Sequence, residues 1–172
     1  CIRDRLRNID KLSISGRMNS INLGQDFYVL VDYAHTPNGL ARLFEFTNKL
    51  EVNKKIVVTG NAGERDASKR KYVGKLCVDN NDHVIFTYED PRYEDPYNVV
   101  KDLCELIKDK TNYETVIDRE EAINKAINMA NKNDLVMILG KGCEDWQEIK
   151  GEFIEFSDIE KAKQAIMKRM NH

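Results

Sequence analysis

The sequence lacks the features that mark membrane, secreted and nucleic-acid-binding proteins. No apolar run approaches the roughly 20 residues that span a bilayer, and the first ten residues, CIRDRLRNID, lack the apolar core of a signal peptide. The 27 basic residues are scattered and are balanced by 29 acidic ones, which argues against the basic patch typical of nucleic-acid binding. We therefore expect a cytoplasmic protein without membrane insertion or a nucleic-acid partner, and we expect it to be a monomer.

Cysteine is too sparse and too dispersed to build a framework. The chain has four cysteines, none of them in a CxxC pair or clustered with histidine: Cys1, Cys77, Cys104 and Cys143. Structural zinc sites and disulfide-rich folds both depend on such spacing. The sequence therefore predicts no metal site in this chain.

The most informative stretch that is present covers residues 26–37, DFYVLVDYAHTP. Its apolar run is too short for an independent helix and lacks polar alternation, which predicts a strand covered on both faces. The run ends at a polar loop that begins with Asp32 and includes His35. Thr36 followed by Pro37 can then cap and begin a helix. A strand, a polar loop and a helix N-terminus in this order are typical of ligand sites in open α/β sheets.

Further β-forming runs alternate with helical patterns along the rest of the chain. The runs lie at 55–59, 83–87, 115–117 and 135–139, and the third helix is expected to extend through Leu106 and Ile107. Three helices begin with caps: Asp95 before Pro96, Asp118 three residues before Glu121, and Ser157 three residues before Glu160. The alternation predicts one α/β, Rossmann-like domain with a mostly parallel sheet, helices on both faces and a short N-terminal hairpin. A second hairpin is predicted at 148–154.

Polar loops follow four of the predicted strands, at 32–36, 60–66, 88–95 and 140–145. Because the carboxyl ends of parallel strands meet at one edge of a sheet, we expect these loops to converge on one site.

The second of these loops, GNAGERD, suits an anion. It offers two glycines and backbone N–H groups ahead of a helix, although no G-x-x-x-x-G-K-[ST] phosphate loop occurs in the chain. Arg65 in this loop can clamp a carboxylate bidentately. The alternative is an ordinary turn with a solvated arginine.

The other loops carry candidate specificity residues. In EDPRYEDP, each proline stiffens the backbone around Arg92, as a specificity loop requires. In GKGCEDW, Glu144 or Asp145 can hold an amine, and the alternative is a tight turn with solvated charges. His35 is a candidate general base, with a hydrogen-bonding strut as the alternative.

Five motifs in this order resemble the C-terminal domain of the Mur ligase family, most closely the members that add the third residue of the peptidoglycan stem peptide. The motifs are GRMN (16–19), VDYAHTP (31–37), GERDASKR (63–70), DPRYEDP (90–96) and GKGCEDW (140–146). The resemblance implies that residues 16–172 form an amino-acid-binding domain and that residues 1–15 are a linker from a missing upstream domain.

The resemblance also implies an activity and a set of site residues. The whole protein would be an amide ligase that uses ATP and Mg²⁺, with upstream domains that bind the UDP-sugar and carry the phosphate loop. This domain would bind the incoming amino acid, diaminopimelate or lysine, without a metal of its own and without activity in isolation. Arg17 and Asp32 would hold the ATP ribose, with His35 beside the nucleotide and the peptide. The amino-acid pocket would contain Arg65, Asp90, Arg92, Gly140 and Glu144.

Three residues depart from the family motifs. Asn19 replaces a glutamate and Cys143 replaces a histidine, which raises the alternative of a diverged paralogue with another acceptor, such as one of folylpolyglutamate synthesis. Asp90 stands where asparagine is usual. Arg92 favours the second carboxylate of diaminopimelate, whereas Asp90 favours a distal amine and, by neutralising Arg92, would make the pocket usable by lysine. The alternative from another class is a stand-alone amino-acid-binding module or non-catalytic partner.

Overall fold

Residues 18–171 are described by the computed structural model, so Arg17 and the expected linker at 1–15 lie outside the described residues. The strands are β1 (Asn19–Ile21), β2 (Tyr28–Asp32), β3 (Lys55–Thr59), β4 (His83–Phe86), β5 (Tyr113–Thr115), β6 (Leu135–Leu139), β7 (Trp146–Ile149) and β8 (Glu152–Glu155). The helices are α1 (Pro37–Thr47), α2 (Arg70–Asn80), α3 (Pro96–Leu103), α4 (Arg119–Met129) and α5 (Asp158–Met170).

Six of the strands form one sheet in the order β1-β2-β6-β3-β4-β5. Every pairing is parallel except that of β1 with β2, which is the predicted N-terminal hairpin. The strand of residues 26–37 is internal, as expected, but the centre of the sheet belongs to β6 and β3. Strands β7 and β8 form the second predicted hairpin as a separate two-stranded sheet. The mostly parallel, Rossmann-like architecture is therefore confirmed.

Helices cover both faces of the sheet because its strands are apolar on both sides. Along β6, Val136 and Ile138 contribute to a core cluster with α4 and α5, whereas Leu135, Met137 and Leu139 contribute to a second cluster with α1, α2 and α3. All five residues of β6 are buried. After β6 the chain continues to the face covered by α4 and α5, whereas after its neighbours β2 and β3 it continues to the opposite face. A crevice therefore opens between these loops at the carboxyl edge of the sheet.

The predicted caps form as hydrogen bonds. Thr36 accepts from the Gly39 N–H at 3.2 Å to begin α1, and Asp118 accepts from the Glu121 N–H at 2.8 Å to begin α4. Helices α3 and α5 begin in the same way, at Asp95 and Ser157 respectively. The cap of α1 holds the polar loop 32–36 at the carboxyl end of β2.

Two boundaries differ from the sequence expectations. The edge strand β5 pairs through Tyr113–Thr115 rather than 115–117, because Val84 of β4 aligns with Tyr113. Helix α3 ends at Leu103, and two tighter turns follow, in which the N–H of residue 105 bonds to the carbonyl of 102 and that of 107 to that of 104. The apolar pattern continues because Ile107 remains buried after the helix has ended.

A buried ion pair joins α4 and α5 beneath the carboxyl edge. Arg119 Nε lies 2.8 Å from Asp158 Oδ1, and Arg119 Nη2 lies 2.7 Å from Asp158 Oδ2. Both side chains are fully buried. Arg119 also donates to the Leu139 carbonyl at 2.9 Å and the Tyr88 carbonyl at 3.3 Å, so it fixes the ends of β6 and of the loop after β4.

Candidate functional site

A cavity of about 460 Å³ lies at the carboxyl edge of the sheet, and we call it the first cavity. Its lining comes from the loops that follow β2, β3, β4 and β6, which confirms that the four polar loops converge. Six residues singled out from the sequence line it: His35, Arg65, Asp90, Arg92, Gly140 and Glu144.

Two carboxylates of this cavity share one buried lysine. Lys141 Nζ lies 2.9 Å from Asp90 Oδ1 and 3.0 Å from Glu144 Oε2, and its ammonium group sits 4.9 Å from the centre of the Trp146 ring. Asp90 Oδ1 also accepts from the Glu148 N–H at 3.1 Å. The expectation that Asp90 neutralises Arg92 is therefore wrong, because Asp90 pairs with Lys141.

Arg92 pairs with a different carboxylate. Its Nε donates to Glu148 Oε2 at 3.0 Å and its Nη1 to the Gly63 carbonyl at 3.4 Å. Its backbone is held by a bridge to Ile149 of β7 and adopts a positive φ of 53°. Within residues 18–171, Nη2 of Arg92 and the whole guanidinium of Arg65 have no hydrogen-bond partner. Both arginines thus present N–H donors for an anion.

The loops that carry these arginines are tied to each other. The Gly63 N–H donates to the Asp90 carbonyl at 2.8 Å, and the Glu64 N–H donates to Glu94 Oε2 at 3.0 Å. Beneath them, the buried guanidinium of Arg70 binds both oxygens of Glu94, at 2.6 and 2.7 Å. The two loops are therefore joined by hydrogen bonds and ion pairs, which support the Arg92 loop in addition to its prolines.

Glu89 brings a buried and unpaired oxygen to the first cavity. Its side chain lies in the lining, yet its Oε1 is buried without a hydrogen-bond partner. Burial raises the pKa of this carboxyl to about 7, and Arg119 opposes that rise. Gly140 passes so close that a Cβ at this position would lie 1.9 Å from Glu89 Oε1, and its φ of +116° also favours glycine. The contact with Glu89 and the positive φ together favour glycine at position 140.

A second cavity of about 590 Å³ adjoins the first, and Asp32 lines it. The Asp32 carboxylate accepts from the Met18 N–H at 2.7 Å and from the Ala34 N–H at 2.8 Å, one bond to each oxygen. Arg42 contributes a cation, and Phe46 contributes an apolar ring. Asp32 is thus separated from the cluster around Asp90.

His35 lines both cavities, as does Tyr33. The His35 Nδ1–H donates to the Tyr33 carbonyl at 2.8 Å, and the two rings meet edge to face with centroids 4.9 Å apart. Burial raises the pKa of the Tyr33 phenol, and Glu144 raises it further. The bond at Nδ1 is what the strut interpretation of His35 predicts, and it leaves Nε2 as the unprotonated nitrogen of the neutral ring.

Sequence reasoning did not single out Glu89, which lines the first cavity, or Lys141 and Glu148, which pair with lining residues. Glu89 had a signal, since it directly follows a buried strand beside Asp90. Lys141 lies within the GKG turn, where its burial in a cage of two carboxylates and one indole depends on tertiary packing. Glu148 reaches Arg92 only through the bridge between the 88–95 loop and β7.

With this geometry established, comparison with known proteins identifies the family. The family model described as the Mur ligase, glutamate ligase domain matches residues 16–142. The chain belongs to the Mur ligase family. The match covers three of the motif-bearing loops entirely and reaches into the fourth.

The relatives of this Mur ligase domain include a named ligase and a named synthetase. It is 42% identical over 154 residues to a UDP-N-acetylmuramoyl-L-alanyl-D-glutamate–2,6-diaminopimelate ligase of Bacillus licheniformis, which covers 90% of this chain and 31% of the relative. It is 40% identical over 166 residues to a UDP-N-acetylmuramyl-tripeptide synthetase of Borreliella burgdorferi, which covers 92% of this chain and 33% of the relative.

A solved structure of a UDP-N-acetylmuramoyl-L-alanyl-D-glutamate–2,6-diaminopimelate ligase superimposes with a TM-score of 0.86 at 33% identity. The match covers 96% of this chain and 34% of that one. The chain thus spans about a third of the length of the relatives it matches.

Two further properties concern residues 18–171 alone. No helix in this part of the chain is long and apolar enough to cross a membrane. The same residues contain no group of three or more histidine, cysteine, aspartate or glutamate side chains placed to hold a metal ion.

Proposed function

We propose that this chain is the amino-acid-binding domain of an ATP-dependent ligase that adds a diamino acid to UDP-N-acetylmuramoyl-dipeptide in peptidoglycan synthesis. The observation that carries the proposal is the first cavity, which brings the Arg65 and Arg92 guanidinium groups to the same space as the Asp90 and Glu144 carboxylates. We infer the reaction from the names of the relatives, and we infer the binding of the amino acid from the side chains that line the cavity.

The charges of the first cavity suit diaminopimelate. This amino acid has two carboxylates and two amines, and Arg65 and Arg92 Nη2 present N–H donors toward two separate anions. Glu148 holds Arg92 in place without using Nη2, so the guanidinium is oriented and still able to donate. Lysine has one carboxylate and would leave one arginine unpaired, at a cost of roughly 1–3 kcal/mol if that site is dry. We therefore favour diaminopimelate over lysine.

The role of these residues in the reaction is positional. The α-amine of the incoming amino acid must attack an activated carboxyl of the acceptor peptide, so the rest of the molecule has to be held still. Ion pairs at two carboxylates and one distal amine fix three points of the amino acid. This chain then contributes orientation, and the acceptor peptide and its activation belong to the upstream domains.

The second cavity fits part of a nucleotide. The Asp32 oxygens each accept one backbone N–H and can each accept a ribose hydroxyl as well, while Arg42 offers a cation and Phe46 an apolar surface. ATP supplies the phosphoryl group that activates the acceptor carboxyl. Phosphate loops and magnesium provide most nucleotide affinity in such enzymes, so we expect the isolated chain to bind ATP weakly and to turn over none. We also propose that the enzyme works in the cytoplasm, where its nucleotide substrates are made.

The decisive experiment assays the longer protein with diaminopimelate and with lysine, as wild type and as Arg92→Ala. We expect the wild type to prefer diaminopimelate and Arg92→Ala to lose most of that preference. Arg42→Ala is the matched control, since it also removes one arginine but from the second cavity, and it should raise the KM for ATP alone. A wild type that prefers lysine, or an Arg92→Ala protein with unchanged diaminopimelate incorporation, would refute the assignment of Arg92.

The gene sequence upstream of Cys1 separates the ligase from a stand-alone binding module. We expect the reading frame to continue into a region with a G-x-x-x-x-G-K-[ST] phosphate loop. A frame that starts at or shortly before Cys1 would favour the binding module instead.

A further inference from the structure

Lys141 is a buried cation between the two carboxylates of the first cavity. Its side chain is 1% exposed, whereas those of Asp90 and Glu144 are 10% and 26% exposed. The ammonium group lies 2.9 Å from one carboxylate and 3.0 Å from the other, with the Trp146 ring on a further side. The lysine is thus in direct contact with both acceptors that the proposed function assigns to a substrate amine.

The backbone around this lysine fixes its position. Gly140 and Gly142 on either side both have positive φ values, 116° and 59°, and the Glu144 N–H donates to the Lys141 carbonyl at 3.1 Å. The tight turn directs the side chain inward to Asp90, 51 residues away in sequence. Because the ammonium group already has three partners, it is satisfied without a bound ligand.

The net charge of the cavity is less negative than its carboxylates alone suggest. Asp90 and Glu144 carry two negative charges, and Lys141 removes one of them. Arg92 and Glu148 cancel each other, while Arg65 adds one positive charge. Glu89, whose pKa is about 7, adds up to one further negative charge, so the local total lies between zero and −1. Without Lys141 the total would be one unit more negative, which would favour an amino acid that carries an excess positive charge.

We propose that Lys141 is a specificity-determining residue of the amino-acid site, because its ammonium group offsets one of the two carboxylates and so disfavours lysine relative to diaminopimelate. The inference rests on the proposed function and deepens it. Asp90 Oδ2 is not used by Lys141, so the distal amine of diaminopimelate still finds one acceptor. A cationic amino acid without a second carboxylate meets the same acceptor and gains no compensating contact at Arg92.

The test compares two amino acids on one protein. For the longer ligase, kcat/KM is measured with diaminopimelate and with lysine, and their ratio is taken for the wild type and for Lys141→Met. Loss of the cation should shift the ratio toward lysine by at least about tenfold, the effect of one unit charge at roughly 10 Å with an effective dielectric constant near 20. The ratio does not depend on the fraction of folded enzyme, since both substrates are assayed on the same preparation.

Further variants separate charge from packing. Glu144→Gln should move the ratio the opposite way, toward diaminopimelate, and the double variant Lys141→Met with Asp90→Asn should return it toward the wild-type value. Lys163→Met is the matched control, because Lys163 also pairs with a glutamate three residues away but on an exposed helix surface. It should leave the ratio within about twofold, since exposed pairs contribute little.

Each outcome is decisive. If Lys141→Met lowers kcat/KM for both amino acids equally, or if Glu144→Gln and Lys141→Met shift the ratio in the same direction, Lys141 is structural and the inference is wrong. If Lys141→Met does not fold, the direction of the Glu144→Gln shift and the ratio of the double variant decide in the same way. A wild-type ligase that incorporates neither amino acid overturns the proposed function, and this inference with it.

Discussion

Two of the buried cations of the domain, Arg119 and Lys141, both bind carboxylates but differ in their surroundings. Arg119 meets one carboxylate, Asp158, through two hydrogen bonds, and both partners are fully buried and outside the linings of the first and second cavities. Lys141 meets two carboxylates that line the first cavity and remain partly exposed. The closed pair is balanced in charge, whereas the open cluster keeps one negative charge in excess. A pair without net charge is suited to holding α4 and α5 together, whereas a net charge beside a cavity is suited to binding a charged ligand.

Glu89 lies between these two regions. Arg119 and Lys141 both lower the pKa of its buried carboxyl, and Asp90 and Asp158 both raise it. The contrast between the Arg119–Asp158 pair and the Lys141 cluster can therefore be tested by substitutions in either of them and by substitution of Glu89, which interacts with both.

The largest expected effect is on the closed pair. Arg119→Met leaves Asp158 buried without a partner and removes donors from two backbone carbonyls, which should lower the free energy of unfolding by about 3–5 kcal/mol. Urea unfolding of the chain measures the change, and the exposed Lys163→Met serves as control, with an effect below about 0.5 kcal/mol. A decrease of less than about 1 kcal/mol in the free energy of unfolding would show that the Arg119 ion pair does not hold α4 and α5 together.

A pH dependence should come from Glu89. Its folded pKa of about 7 exceeds the ordinary value of 4.5, so the folded state holds a proton that the unfolded state has released between these pH values. Stability from this group is therefore present below pH 4.5 and is lost as pH rises toward 7, by about 3 kcal/mol in total.

Glu89→Gln removes this dependence. Relative to the wild type, the variant should gain stability from pH 5 to pH 7 in denaturant titrations, and the difference should level off above pH 7. A constant difference between the two proteins across this range would mean that Glu89 is ionised in the folded domain at low pH.

The contact between Gly140 and Glu89 should have a smaller effect. Gly140→Ala places a methyl group against the Glu89 carboxylate, and Gly24→Ala is the matched control because Gly24 also has a positive φ, of 98°, but its nearest neighbour would be Met170 Cε at 3.8 Å. Overpacking costs about 1–3 kcal/mol, so the alanine at 140 should be less stable than that at 24 by this amount. Equal losses in thermal unfolding would indicate that only backbone strain matters.

The smallest expected effect concerns the tie between the Arg65 and Arg92 loops. Glu94→Gln weakens both the Arg70 pair and the bond from the Glu64 N–H, whereas Asp102→Asn removes only a more exposed partner of Arg70. We expect a loss of about 1–2 kcal/mol for the first and less for the second. The KM for the amino acid in the longer protein should rise for Glu94→Gln alone, and a similar rise for both variants would contradict the tie.

The fold could be predicted from the sequence because its signals are local. Apolar runs such as that of β6 and caps such as Asp118 act within a few residues, and the alternation of strand and helix then determines the sheet. Helix α3 shows the limit, since its apolar spacing continues past Leu103 while the backbone turns more tightly. Strand order across β2, β6 and β3 follows from chain crossings that periodicity does not encode.

The cavity could be predicted as a meeting of loops, but its pairings could not. That Arg65, Arg92 and Glu144 share an edge follows from their positions after parallel strands. That Asp90 pairs with Lys141, and Arg92 with Glu148, depends on how the 140–145 turn and β7 pack against the loop after β4. Such pairings arise between residues 51 and 56 positions apart, and no local pattern specifies them.

A crystal structure of the longer protein with diaminopimelate and an ATP analogue would show whether the first cavity holds the incoming amino acid. We predict diaminopimelate in the first cavity, with one carboxylate within hydrogen-bond distance of Arg92 Nη2, the other at Arg65, and Lys141 still between Asp90 and Glu144. Diaminopimelate in the second cavity beside Asp32 and Arg42, or in the first cavity without contact to Arg92, would contradict the account.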